Sequence, residues 1–303
     1  MSDPNIVVVG ASAGGVEALQ TLVSGFPAEL PAAVFVVLHI GSSQSALPAI
    51  LSQAGPLRAI HPTDGQPIKK GTIYVAPPDY HMLLTEPGKV QLSHGPKVNF
   101  TRPAINPLFR SAAATYGPGV TGIILSGNLD DGVLGLAEIK RRGGLAIVQD
   151  PKTAIYPSMP SCAADNVPVD YIVRIEEIPA LLLRELPDGV PAEIGGSVEE
   201  LKSDLTCPEC RGPITEFRSG KLVEYRCRVG HAYSALAFAQ DHQSAVERKL
   251  WQAVLALEES AEIADKLSKQ FGGTYKQQAQ DRRQQASMIR EILQEVGARY
   301  PSC

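Results

Sequence analysis

A serine near the amino terminus lies in a small-residue turn, Gly10-Ala-Ser12-Ala-Gly14-Gly15, between an apolar run and a helical pattern. Small residues in such a turn can let a dinucleotide pyrophosphate approach a helix N-terminus. Alternatively, a Gly-x-Ser-x-Gly turn lifts a serine hydroxyl out of a sheet, beside N–H groups that stabilise an oxyanion. Ser12 occupies the second glycine position of the dinucleotide motif, and His39 follows the next strand where an acidic residue is expected, so dinucleotide binding is disfavoured. A turn that merely connects a strand to a helix remains the simplest alternative.

Two further groups that a serine nucleophile requires also follow predicted strands. His39 comes directly after Ala33–Leu38, and the pair Asp130 and Asp131 follows Val120–Leu125. Taken singly, the histidine could be structural and an aspartate could cap a helix. Open parallel sheets bind ligands at the carboxyl ends of their strands, where these groups could together form a Ser-His-Asp set. The spacing alone does not choose between Asp130 and Asp131.

A second cluster of reactive side chains lies nearer the carboxyl terminus. Cys207-Pro-Glu-Cys210 is followed, after sixteen residues, by Cys227-Arg-Val-Gly-His231. Three cysteines and one histidine at this spacing predict a tetrahedral zinc site, and four protein ligands leave no position open for a reacting molecule. We therefore expect one structural zinc ion, which staples a module too short to bury a core of its own.

The sequence elements around Ser12, His39 and the two aspartates predict a doubly wound α/β fold. Short apolar runs alternate with helical patterns, which predicts a mostly parallel sheet with helices on both faces. Residues 72–94 interrupt this alternation with three short extended segments separated by Pro and Gly, and they predict an antiparallel β insertion. The predicted strands of the parallel sheet are Ile6–Val9, Ala33–Leu38, Val120–Leu125, Leu145–Val148 and Tyr171–Val173.

The chain divides by pattern into four segments. Residues 1–190 form the predicted catalytic domain, 191–206 a Pro- and Gly-rich linker, 207–235 a zinc-ribbon-like module and 236–303 a helical tail. In the tail, two apolar stripes at helical spacing are separated by Gly272-Gly273, which predicts a helical hairpin. The stripes are more simply explained as a core than as a face for binding partners.

Composition excludes several classes of protein. The 303 residues include 44% hydrophobic and 20% charged residues, as in ordinary globular proteins, and the net charge is −4. No positive field attracts nucleic acid, and the longest apolar stretch, Ala32–Leu38, is far shorter than a membrane span. The start of the chain shows no secretory signal. We therefore expect a cytoplasmic protein without nucleic-acid binding or membrane insertion.

From Ile6 to Leu186 the sequence resembles the catalytic domain of the chemotaxis protein-glutamate methylesterases of the CheB type. The matching motifs, in order, are Gly10-Ala-Ser12-Ala-Gly14-Gly15, Leu38-His39, Ile73-Tyr-Val-Ala-Pro77-Pro-Asp79-Tyr-His81, Asn99-Phe-Thr-Arg102-Pro103, Leu125-Ser-Gly127-Asn-Leu-Asp-Asp131-Gly132 and Ser158-Met159-Pro160. The resemblance implies hydrolysis of methyl esters on glutamates of chemoreceptor-like proteins, deamidation of receptor glutamines, and no cofactor for catalysis. It also implies a triad of Ser12, His39 and Asp131, with Asp130 as the fallback.

The sequence departs from the family pattern in three ways. Ala13 stands where a threonine is frequent, and Gly127-Asn128-Leu129 replaces a Gly-Met-Gly segment that is thought to supply an oxyanion donor. Family members usually carry an N-terminal receiver domain, whereas here the catalytic pattern begins at about residue 5, so we expect no control by aspartyl phosphate within this chain. The alternative function is a non-catalytic signalling module on the same fold. Residues 198–303 could either gate the catalytic rim or form an independent targeting arm that leaves catalysis untouched; we expect the targeting arm, with helices that bind other signalling proteins.

Overall fold

The computed structural model describes residues 5–39, 45–186, 198–271 and 274–296. The chain divides into one compact unit that extends to Ala237 and a second that begins at Phe238. All of the predicted site residues belong to the first unit.

Seven parallel strands form the central sheet of the first unit. The strands of the α/β region are β1 (Asn5–Ala11), β2 (Ala32–Leu38), β3 (Arg58–Ile60), β4 (Thr72–Val75), β5 (His81–Glu86), β6 (Lys89–Ser93), β7 (Val120–Ile124), β8 (Leu145–Gln149) and β9 (Tyr171–Val173). The sheet order is β3-β4-β2-β1-β7-β8-β9, and every neighbouring pair is parallel. All residues of β2 and β7 are buried, because such strands are covered on both faces.

Helices cover both faces of this sheet, as the doubly wound prediction requires. They are α1 (Gly15–Ser24), α2 (Leu47–Ala54), α3 (Ile105–Tyr116), α4 (Val133–Arg141), α5 (Ser158–Asn166) and α6 (Ile178–Glu185). Helices α1, α2 and α6 bury their apolar residues in one cluster, and α3, α4 and α5 bury theirs in another on the opposite face. The predicted fold class is therefore confirmed.

The β insertion is smaller than the sequence predicted. The segment around Thr72–Val75 joins the parallel sheet as β4, beside β2, and only β5 and β6 form the antiparallel pair. The hairpin packs Met82, Leu84 and Val90 against the same core as α3. A short strand bounded by proline has the same sequence pattern in a parallel and in an antiparallel sheet. The sequence therefore could not show that β4 belongs to the parallel sheet.

A four-stranded antiparallel sheet follows the α/β region, and we call it the cysteine ribbon. It consists of β10 (Glu199–Thr206), β11 (Pro213–Ser219), β12 (Leu222–Cys227) and β13 (Ala232–Ser234). Residues 191–197 of the predicted linker 191–206 lie outside the described residues. The second half of the predicted linker forms β10. Most side chains of β10 are exposed and polar, so the strand is held mainly by backbone pairing with β11 and lacks an apolar signal.

The cysteine ribbon packs directly against the α/β region. Val98 forms a β-bridge with Ala232, and the rings of Phe100 and Tyr233 lie 4.7 Å apart. On the next strand, the buried Glu224 accepts a 2.6 Å hydrogen bond from the Arg110 guanidinium on α3. Residues 198–237 are therefore not structurally separate from the α/β region, and their effect on catalysis stays a prediction.

The second unit is the helical hairpin that the apolar stripes predicted. Helix α7 (Ala235–Phe271) begins in the first unit and continues into the second, where α8 (Tyr275–Val296) follows. Val254 packs with Ala286 and Leu293 in a small core, flanked by Leu250, Leu257 and Ile289. The stripes thus face each other. Among the described residues, none of the helices has the length and hydropathy needed to cross a membrane.

Candidate active site and metal site

Ser12 follows β1 at the point where the order of the strands reverses, between β1 and β7. Its N–H donates to the Ser126 carbonyl at 3.0 Å, and its own carbonyl accepts from Gly15 at 2.9 Å. Gly14 has a φ of 68°, the left-handed conformation that glycine adopts without strain, and α1 begins directly after it. This turn places the Ser12 hydroxyl beside the N-terminus of α1, at the usual ligand position of an open parallel sheet.

The side chains of Ser12, His39 and Asp131 form one chain of hydrogen bonds. His39 Nδ1 lies 3.1 Å from Ser12 Oγ, and His39 Nε2 lies 2.8 Å from Asp131 Oδ2. An ionised carboxylate can only accept, so the imidazole proton resides on Nε2 and leaves Nδ1 free to accept from the serine hydroxyl. The parallel sheet brings the ends of β1, β2 and β7 together, although the residues are up to 119 positions apart in the chain.

Asp131 is buried and surrounded by donors. Oδ2 accepts from the Ile105 N–H at 2.6 Å in addition to His39, and Oδ1 accepts from Asn99 Nδ2 at 3.0 Å. Burial raises the pKa of this carboxyl, but the hydrogen bonds from His39 and from the backbone at Ile105 and Asn106 outweigh it, so the pKa lies below its usual value. Asp131 also meets the N-terminus of α3, where negative charge is favoured.

The neighbouring carboxylate points elsewhere. Asp130 Oδ1 accepts a 2.6 Å hydrogen bond from Ser234 Oγ in the cysteine ribbon. Burial raises the pKa of Asp130 to about 6, although the hydrogen bond from Ser234 opposes the shift. The structure thus places Asp131 against His39 and Asp130 against the ribbon, a distinction that the spacing could not make.

The Gly127–Leu129 loop closes over the nucleophile. The Gly127 N–H donates to the Tyr156 carbonyl at 3.0 Å, and the Gly127 carbonyl accepts from Met159 at 2.9 Å. A Cβ at Gly127 would lie 2.6 Å from Met159 Cε and 3.0 Å from Ser12 Cβ, so the loop approaches as closely as glycine allows. Leu129, where the family pattern has glycine, has a φ of 62° and is strained for a side chain of its type.

Two residues that the sequence motifs singled out have other roles. His81 donates from Nε2 to the Pro96 carbonyl and accepts at Nδ1 from the Ala104 N–H, so both ring nitrogens are occupied away from Ser12. Burial, its largest influence, lowers the pKa of His81. Arg102 makes two hydrogen bonds to Asp79 Oδ1, at 3.0 and 2.8 Å, and more to backbone carbonyls. Both residues fasten the segment that leads into α3.

The sequence did not single out Asn99 as a candidate site residue. It lies in a motif of the resemblance, but an asparagine in a loop carries no chemical signal by itself. In the structure it is only 7% exposed, it has a φ of 49°, and its side chain joins Asp131 to the ribbon residue Ser234. Its partner lies 135 positions away, so no local pattern could have found this contact.

The four predicted metal ligands also lie together. One ligand atom from each of Cys207, Cys210, Cys227 and His231 lies within 4.8 Å of all the others. The sulfurs of Cys210 and Cys227 are 3.6 Å apart, and His231 Nδ1 is 3.7 Å from the Cys207 sulfur and 3.5 Å from the Cys227 sulfur. A tetrahedral zinc site has S–S edges of about 3.8 Å and S–N edges of about 3.5 Å, from the usual bond lengths. The residues therefore fit such an ion.

Two neighbours complete this cluster. Glu209 Oε2 lies 3.1 Å from His231 Nε2, the arrangement in which a carboxylate orients a ligating histidine. The Tyr233 hydroxyl lies 3.3 Å from the Cys207 sulfur and can donate to a thiolate. The cluster thus offers four candidate ligands, together with outer partners of the kind that hold ligands in place.

The comparisons with known proteins identify the family of the chain. A family model described as CheB methylesterase matches residues 7–182. A Leptospira interrogans protein, whose name gives protein-glutamate methylesterase and protein-glutamine glutaminase as provisional activities, is 38% identical over 59% of this chain and 93% of its own length. A Pyrococcus abyssi protein named for the same two activities is 36% identical over 59% of this chain, which spans about half of that relative. The crystal structure of the Thermotoga maritima CheB methylesterase catalytic domain matches with a TM-score of 0.58 at 31% identity, over 60% of this chain and 99% of that one.

Proposed function

The chain belongs to the CheB methylesterase family, and we propose that it is a serine-type carboxyl ester hydrolase that removes methyl esters from glutamates of chemoreceptor-like proteins. The names of its relatives pair this activity with glutamine deamidation, and the proposal includes both. The observation that carries it is the continuous hydrogen-bonded chain from Ser12 through His39 to Asp131. A non-catalytic signalling module on the same fold has no use for that chain.

The proposed reaction follows from these contacts. Ser12 Oγ attacks the ester carbonyl while His39 Nδ1 takes the hydroxyl proton, and Asp131 stabilises the imidazolium that results. The proton then passes to the departing methoxide, which leaves as methanol from an acyl-Ser12 intermediate. Water, deprotonated by His39, hydrolyses that intermediate and restores Ser12. With a glutamine side chain the leaving group is ammonia, and the other steps are the same.

Two backbone N–H groups next to Ser12 support stabilisation of the oxyanion. Among the described residues, neither the Ala13 N–H nor the Asn128 N–H has a hydrogen-bond acceptor. Ala13 lies at the positive end of α1, and Asn128 follows the glycine that packs against Ser12. Because these donors belong to the backbone, the departures from the family pattern at Ala13, Asn128 and Leu129 leave them available.

For the second cluster, we propose one structural zinc ion held by Cys207, Cys210, Cys227 and His231. The support is the match between the observed distances and the edges of a tetrahedral zinc site, together with the outer contacts of Glu209. When bound, the ion ties two turns of the cysteine ribbon together. No step of the ester hydrolysis uses it.

The other segments of the chain, its substrates and its location also receive proposed assignments. We assign catalysis to residues 1–190, the metal to 207–235 and binding of other signalling proteins to the tail 236–303. Methylated chemoreceptor-like proteins are the proposed substrates, and the cytoplasm is the proposed location. The negative net charge supports the expectation that nucleic acid is not a partner.

A serine-directed phosphonate tests the proposal directly. The purified chain should be labelled once, on the peptide that contains Ser12, and should release methanol from a methylated chemoreceptor. Ser12→Ala should abolish the labelling and lower methanol release about 1,000-fold or more, with an unchanged circular dichroism spectrum, because the nucleophile contributes little to packing. Near-normal methanol release by Ser12→Ala would overturn the esterase mechanism, and absence of labelling in the unaltered chain would favour the non-catalytic alternative.

A further inference from the structure

Asn99 connects the catalytic carboxylate to the cysteine ribbon through the two ends of one amide. Its Nδ2 donates to Asp131 Oδ1 at 3.0 Å, and its Oδ1 accepts from the backbone N–H of Ser234 at 2.8 Å. Because an amide has one accepting and one donating end, the N–H of Ser234 fixes which end faces Asp131. Rotated by 180°, the amide would present its oxygen to a carboxylate and leave both partners unsatisfied in a buried place.

The backbone of Asn99 is held by the same strand of the ribbon. The Asn99 N–H donates to the Ala232 carbonyl at 2.9 Å, and Val98 pairs with Ala232 in a β-bridge. Strand β13 therefore forms hydrogen bonds with both the backbone and the side chain of Asn99. Without β13, a residue with a φ of 49° would lose the contacts that hold it in this sparsely populated conformation.

Strand β13 begins at the proposed metal site. His231 is the residue before Ala232, and its carbonyl accepts a 3.0 Å hydrogen bond from the Cys227 N–H. Cys227 and His231 thus close a tight turn that supplies two of the four ligands. A metal ion that fixes this turn also fixes the start of β13.

Tyr233 provides a second link between the proposed metal site and the loop of Asn99. Tyr233, the middle residue of β13, places its hydroxyl 3.3 Å from the Cys207 sulfur and its ring against Phe100. Phe100 directly follows Asn99 and also has a positive φ, 64°. The ligand Cys207 is therefore linked to the loop of Asn99 through a single buried side chain.

From these contacts we propose that Asn99 is a positioning residue of the catalytic set, and that the metal-closed cysteine ribbon holds it there through β13. The ribbon then governs the orientation of Asp131, and hence of His39, without touching the substrate. This inference rests on the proposed esterase function.

The effect should fall on the chemical step. A tilted Asp131 misaligns His39 and slows proton transfer from Ser12, whereas ester binding does not involve Asn99. Asn99→Ala should lower kcat for a small methyl ester about 10- to 100-fold and leave KM within twofold, because small misplacements of catalytic groups cost rates of this order. Asn166→Ala is the matched control, since that amide donates to the Cys162 carbonyl on α5, and it should retain kcat.

Removal of the metal is the second experiment that tests the proposal. A chelator that takes zinc from the full chain, checked by elemental analysis, should lower kcat and the rate of phosphonate labelling at Ser12 by a similar factor, while restored zinc recovers both. The two changes should not multiply: in Asn99→Ala, zinc removal should cause no further fall in either rate, because the contact through which it acts is already gone.

Several results would overturn the proposed role of Asn99 and the ribbon. Zinc removal that lowers the rates of Asn99→Ala as much as those of the unaltered chain would show a general loss of structure and overturn the proposal. So would a zinc-free chain with full rates, a chain that binds no zinc, or Asn99→Ala with an unchanged kcat. If Asn99→Ala does not fold, Asn99→Ser replaces it, because a hydroxyl cannot reach both partners. Failure of the unaltered chain to react with phosphonate would instead overturn the proposed function.

Discussion

The catalytic set and the cysteine cluster each bring together residues that are distant in the chain, but different forces hold them. Ser12, His39 and Asp131 follow strands whose side chains are almost all buried, so the hydrophobic core fixes their positions before any ligand binds. The cysteine ribbon buries fewer apolar residues, among them Ile214 and Tyr233, and its strands range from the mostly exposed β10 to the buried β13. One region is therefore organised by its core, whereas the other depends on its contact with the first and, in our proposal, on a metal ion held by four ligand atoms.

The largest expected effect follows from alteration of Asp131, the carboxylate that the hydrophobic core holds in place. Asp131→Asn keeps the shape but presents an amide to His39, which no longer favours the productive tautomer, and kcat should fall about 10,000-fold. Asp130→Asn is the matched control, since Asp130 faces Ser234 instead of His39, and it should lose far less. Methanol release under identical conditions measures both. Reversed losses would show that Asp130 is the catalytic partner.

The other region should respond to loss of its ligands. Replacement of Cys207 and Cys227 together by serine should reduce bound zinc from one ion per chain to none, because two of four ligands are lost. The ribbon should then lose several kcal/mol of stability, since metal binding contributes directly to folding of such modules. Elemental analysis and hydrogen exchange in residues 198–234 measure the two effects. Full zinc retention would refute the ligand assignment.

A smaller effect should appear where the two regions meet, at Asp130. Its pKa is raised to about 6, so the folded state binds more protons than the unfolded state between about pH 4 and 6. Stability from this group therefore falls as the pH rises through that window, and the ionised carboxylate is destabilising at pH 7. Asp130→Asn should gain about 1 to 3 kcal/mol relative to the unaltered chain at pH 7 and little at pH 4. Urea unfolding measures the gain, with the exposed Asp204→Asn as control; a gain that is equal at both pH values would contradict the assignment.

The smallest expected effect concerns the loop over Ser12. Leu129→Gly removes left-handed strain of about 1 to 2 kcal/mol but adds about 0.5 to 1 kcal/mol of backbone freedom to the unfolded chain. The net gain in unfolding free energy should lie between about 0 and 1.5 kcal/mol. Leu129→Ala retains a Cβ and should show no gain. A larger gain with alanine than with glycine would show that strain at this position is not the cause.

The sequence predicted five of the seven strands of the central sheet, for a physical reason. Strands buried on both faces must be continuous apolar runs, and β1, β2 and β7 are such runs, so the positions of Ser12 and His39 at strand ends followed. Strand β10 could not be predicted in the same way, because backbone pairing with β11 holds its polar residues. Asn99 was beyond reach because its role depends on a partner in another sheet, and an isolated loop amide looks the same with or without that partner.

The contact between Asn99 and Ser234 also bears on how the protein is made. Ribosomes add about 5 to 20 residues per second, so Ser234 follows Asp131 by about 5 to 20 s during synthesis. In that interval the nascent chain already contains its nucleophile, base and carboxylate, but the amide that orients the carboxylate has no partner from β13. The order of translation therefore makes the catalytic centre one of the last parts of the first unit to be finished, although its reactive residues are among the first to be synthesised.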